Sequence, residues 1–94
     1  PNVSFFKTTS SGILTIEVIA KYRSGLLFDI AEIFRDEHID VLSAHIEVEG
    51  TKAIDVFYVK SCGLESIISD SHQQQLNSML IKACSSNSIN EKVA

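Results

Sequence analysis

The apolar residues of this chain change their spacing twice within some forty positions, and that change of period constrains the fold more than any other feature. Residues 13–20, Ile-Leu-Thr-Ile-Glu-Val-Ile-Ala, are dense in β-branched side chains and predict a strand. From position 26 onward Leu26, Leu27, Ile30, Ala31, Ile33 and Phe34 recur at intervals of three and four, the apolar stripe of a helix. Asp29, Glu32, Arg35 and Asp36 fill the other side, and the helix is expected to stop near Glu37-His38. Over residues 40–49 the period returns to two. Leu42, Ala44, Ile46 and Val48 fall on one face and Val41, Ser43, His45, Glu47 and Glu49 on the other, which predicts a half-buried strand.

The flanks complete the pattern. Glu49-Gly50-Thr51-Lys52 is a tight turn in which Gly50 supplies a positive φ, and residues 53–60 return as the next strand. Residues 3–8 read as a short first strand, joined to the second by the turn cluster Thr9-Ser10-Ser11-Gly12. A second helix is predicted over 69–85, with Leu76, Met79, Leu80 and Ala83 as its apolar stripe. Ser69 or Asp70 is its cap, and Asp70 with Gln73 fits a loose capping box. The tail 86–94 is polar and is expected to fray. The order β-β-α-β-β-α places two helices on one face of an antiparallel sheet. Without its first strand it is a ferredoxin-like unit lacking the usual last strand. The N-terminal strand is expected to take that seat, with Phe5 and Phe6 as anchors.

Length and charge narrow the function. The 94 residues make one domain, with an ordered core of about 3–85. A net charge of −4 with only 8 scattered basic residues gives no footprint for nucleic acid. No apolar run approaches a membrane span, and no charged segment leads into an apolar one as in a signal peptide, so a cytoplasmic location is expected. Cys62 and Cys84 have neither metal nor redox spacing and are read as free thiols. The three histidines show no ligand spacing, so no metal and no cofactor is expected. No nucleophile–base pair is visible, and no catalytic residue is assigned. The start at Pro1 without Met suggests a piece of a larger protein.

Two stretches carry a resemblance. Ala20-Lys-Tyr-Arg-Ser-Gly-Leu-Leu27 resembles the A-x-D-R-P-G-L-L signature of ACT domains. Ser43-Ala-His-Ile46, then Gly50, then Ala53-Ile-Asp-Val-Phe-Tyr-Val59 is similar to the S-A-H-I…G…A-x-D-V-F-Y-V pattern of the C-terminal ACT domain in PII uridylyltransferase/uridylyl-removing enzymes. The resemblance implies a ferredoxin-like ACT fold and a regulatory role without catalysis of its own. It also implies a small amino-acid effector, glutamine, another ACT domain or a second copy as partner, and the PII signal protein as a partner of the parent enzyme. The family's Asp is Tyr22 here and its Pro is Ser24, whose hydroxyl is expected to cap the helix instead.

The effector site is expected at Tyr22, Arg23, Ser24, Gly25, Leu26 and Leu27, where a strand hands the chain to a helix N-terminus. The first N–H groups of a helix lack partners and its dipole is positive there, which suits a carboxylate. The competing reading of the same residues is an ordinary capped helix start. An interface is expected at Ser43, His45, Asp55, Phe57 and Val59. Asp55 shares a strand face with Phe57 and Val59, taken as the outer face together with Ile13, Ile19 and Val41. The alternative function is a docking or dimerisation module that binds no small molecule. His72 is read as plain surface.

Overall fold

The computed structural model describes residues 1–7, 12–62 and 68–85. Six elements follow in the expected order: β1 (Asn2–Lys7), β2 (Leu14–Lys21), α1 (Leu26–Asp36), β3 (Ile39–Glu49), β4 (Lys52–Ser61) and α2 (Asp70–Ser85). The sheet order is β1-β2-β4-β3 and every neighbouring pair is antiparallel. The architecture is α+β and compatible with a ferredoxin-like fold. β1 lies beside β2, with Phe5 opposite Ile16, in the seat expected for it. Of the turn at Thr9 to Gly12, residues 9–11 lie outside the described residues, as do residues 63–67 and the tail 86–94.

The core lies between the sheet and the helices. Alternate residues of β2 (Leu14, Ile16, Val18, Ala20) and β4 (Ala53, Phe57, Val59) meet Leu26, Ile30 and Phe34 of α1 and Leu76, Leu80 and Cys84 of α2. Burying a side chain such as Leu76 or Leu80 contributes about 1.5–3 kcal/mol. Phe34 and Phe57 join the two layers edge to face, their centroids 5.2 Å apart. α2 covers β1 and β2, while α1 touches α2 and the start of β3. Ser69 caps α2, its Oγ accepting from His72 N–H at 3.2 Å. The Gln73 side chain donates to Ile68 O at 3.1 Å.

Four expectations are corrected. β3 is not half-buried: Ile39 alone is buried, and the rest of the strand is exposed. It is the sheet edge, and among the described residues no helix lies over the length of its inner face. The alternation is also broken, because the register with β4 shifts between Val41 and Ser43 and leaves Leu42 as an extra residue. Val41 therefore shares a side with Ala44, Ile46 and Val48, opposite Val59, Phe57, Asp55 and Ala53.

Asp55, Phe57 and Val59 do share a face, but it is the core face. All three are buried. β4 is a central strand whose other face, Ile54, Val56 and Tyr58, is also apolar, so alternation alone could not tell inside from outside.

Ser24 does not cap α1. Gly25 holds the N-cap position with φ 85 and no side-chain cap bond. A left-handed conformation at that point selects glycine.

The far end of α1 closes with His38 at φ 58, its N–H bonded to Arg35 O. His72, read as surface, is half-buried, and its Nε2 lies 3.1 Å from Glu37 Oε1, linking the start of α2 to the end of α1.

Candidate functional site

The strand-to-helix loop after β2 builds the site. Tyr22 continues the line of β2 and donates its N–H to Thr51 O at 2.7 Å, which ties the loop to the β3–β4 turn. Gly25 then turns the chain into α1, where Leu26 N–H reaches back to Arg23 O and Asp29 N–H to Gly25 O. Beside this loop lies an open cavity of about 460 Å³. Tyr22, Arg23, Gly25, Leu26 and Leu27 line it, with Phe28 on one side and Ile46, Val48, Ala53 and Asp55 on the sheet side. Five of the six residues expected at an effector site thus surround one space. Ser24 is exposed and does not line it.

Arg23 is engaged by the protein itself. Its Nη2 donates to Asp29 Oδ2 at 2.7 Å and to Ala83 O at 2.9 Å, and its Nη1 to Ser24 O at 3.3 Å. The guanidinium fastens the loop to α1 and to the last turns of α2, with the side chain only 19% exposed. Tyr22, Leu27 and Phe28 are by contrast exposed apolar surface around the cavity mouth.

The sheet side is apolar except for Asp55, which is 2% exposed. Burial pushes its carboxyl above the ordinary Asp range, because the charged form loses its hydration. Ile46, Val48, Phe28 and Ala53 were not among the expected site residues. The signal for the first two was present in the apolar alternation of β3, but it was read as core.

The expected interface residues divide. Ser43 and His45 lie on the exposed outer side of β3, with His45 Nε2 3.8 Å from Glu47 Oε1. Asp55, Phe57 and Val59 lie on the opposite, buried side. The structure does not bring the five together. A second space of about 480 Å³ runs along the other end of α1, lined by Ala31, Phe34, His38, Val41, Ala44 and Cys62 among others. Among the described residues no cluster of His, Cys, Asp and Glu is placed to hold a metal ion. No described helix is long and apolar enough to cross a membrane.

No protein-family model matches the chain, and no solved structure does. A match is found among curated proteins. The chain is 38% identical over 60 residues to a bifunctional uridylyltransferase/uridylyl-removing enzyme from Gluconobacter oxydans (strain 621H). The match covers 64% of this chain and 6% of that enzyme, so the chain corresponds to a small part of its relative. The likeness is sufficient to conclude that this chain is related to a segment of a uridylyltransferase/uridylyl-removing enzyme.

Proposed function

We propose that this chain is a regulatory ACT domain that senses an amino acid, glutamine, within a uridylyltransferase/uridylyl-removing enzyme acting on the PII signal protein. The observation that carries the reading is the cavity beside Gly25, where the loop expected to hold an effector meets the N-terminus of α1. Carboxylates are favoured there because the first N–H groups of a helix lack partners within it and its dipole is positive at that end. The related curated enzyme supports the assignment of the parent.

The mechanism is differential binding. An effector that fits the cavity better in one arrangement of the parent's domains stabilises that arrangement by its difference in affinity. Calorimetric titration of glutamine, into this chain and into the parent enzyme, tests it. Saturable heat is expected at protein concentrations suited to millimolar affinity. Absence of heat in both would reject sensing at this site.

A second reading is a docking module, and β3 favours it. An edge strand with Val41, Leu42, Ile46 and Val48 exposed is a surface that a second ACT domain or a second copy can cover. Sedimentation with and without amino acids separates the two, since docking predicts a dimer indifferent to ligand.

A further inference from the structure

Among the described residues two buried side-chain polar atoms lack a hydrogen-bond partner, Arg23 Nε and Asp55 Oδ1. Leaving such an atom unpaired costs about 1–3 kcal/mol, and native chains rarely tolerate it without cause. The two atoms are chemically opposite, a donor and an acceptor, and both residues line the same cavity. The other guanidinium nitrogens are committed to Asp29, Ala83 O and Ser24 O, so Nε is the one left over. Asp55, at 2% exposure, has almost no access to bulk water. It lines a space whose apolar walls include Leu26, Ile46, Val48 and Ala53.

A ligand that satisfies both atoms must offer a donor to Asp55 Oδ1 and an acceptor to Arg23 Nε. An α-amino-acid head group carries both on one carbon. We propose that Asp55 receives the α-ammonium group of the effector, with the ligand's carboxylate turned towards Arg23 Nε and the first turn of α1. This assignment rests on the reading of the cavity as an amino-acid site. It moves Asp55 from a surface that meets a protein partner to the floor of a small-molecule site. It also defines the ligand class as zwitterions with a free ammonium, preferred over simple carboxylic acids of the same length.

The test is an amide-resolved NMR titration of the 94-residue chain. The probes are L-glutamine and 4-carbamoylbutanoate, which is glutamine without its amino group. A panel of other amino acids, each beside its des-amino analogue, extends the comparison. An amino acid is expected to shift the amides of Leu26 to Phe28 and of Asp55, and its des-amino analogue to bind about tenfold more weakly or worse. Asp55→Asn is expected to remove that preference, so that both ligands bind equally weakly. Equal binding of the two ligands to the unaltered chain would overturn the role of Asp55 while leaving the cavity an acid-binding site. Unchanged discrimination by a folded Asp55→Asn chain would do the same. No shift with any amino acid would overturn the sensor reading itself, and this proposal with it. Should Asp55→Asn fail to fold, the comparison of ligands on the unaltered chain still decides.

Discussion

Arg23 Nη2 lies 2.7 Å from Asp29 Oδ2, and the same nitrogen reaches Ala83 O at 2.9 Å. One guanidinium thus joins the loop after β2, the first turns of α1 and the end of α2. A lysine has a single ammonium and no planar fork, so it cannot reproduce this geometry. Arg23→Lys is expected to lower stability by about 1–2 kcal/mol, and Arg23→Ala by more, since it also leaves Asp29 without its partner. Urea unfolding of the two variants and of Asp29→Asn checks the order, with Asp29→Asn the mildest of the three.

Gly25 is required for its backbone, not for the room it leaves. A Cβ built there meets only Arg23 Nη1 at 3.7 Å, an ordinary contact, but φ is 85. Gly25→Ala is expected to cost about 1–2 kcal/mol, the penalty of a left-handed L-residue. Gly50, at φ 62 with nothing within 4 Å, is expected to cost a similar amount on substitution by Ala. Thermal unfolding of the two variants tests this equality, and a much larger loss at Gly25 would show a steric contribution instead.

His72 and Glu37 link the helices at their adjoining ends, 3.1 Å apart and both half-buried. His72→Ala is expected to destabilise by about 0.5–1.5 kcal/mol. Faster hydrogen exchange is expected at the first turn of α2 ahead of the rest of that helix, because that turn would lose its tie to the end of α1.

Asp55 makes stability depend on pH in a direction opposite to that of a salt-bridged carboxylate. Burial raises its pKa in the folded chain above the unfolded value. Below the ordinary Asp range both states hold the proton and the contribution is fully present. As pH rises, the unfolded chain ionises first, and the contribution is lost by the time the folded pKa is passed. Arg23 lines the same cavity, and the Cys84 thiol, raised chiefly by its own burial, also feels the Asp55 charge. Asp55→Asn removes the titration, so its stability relative to the unaltered chain is expected to improve with rising pH. Urea midpoints of both chains from about pH 4 to about pH 8 check this, and a constant gap would contradict it.

The element order and the replacement of the last strand by β1 were legible because period and turn residues are local signals. The loop at 22–27 was legible for the same reason, and five of its six residues border the cavity. The inside and outside of β4 were not, because a central strand with apolar residues on both faces carries no local mark of orientation. Asp55 illustrates the cost: a carboxylate between Ile54 and Val56 suggests water, and its burial follows only from where α1 and α2 settle. The cap of α1 was assigned to Ser24 because serine is a good cap residue. The decisive property was the positive φ at Gly25, which a hydroxyl cannot supply.

Leu42 is skipped by the ladder between β3 and β4, so the pairing on either side of it is already consecutive: Val41 with Val59, then Ser43 with Tyr58. A chain lacking Leu42 would keep both halves aligned and gain a straight, regular border of unsatisfied amides and carbonyls. Such a border is a template for endless strand addition, and an extra residue that kinks it is a known protection. The irregularity at Leu42 therefore works against open-ended strand addition along this greasy margin.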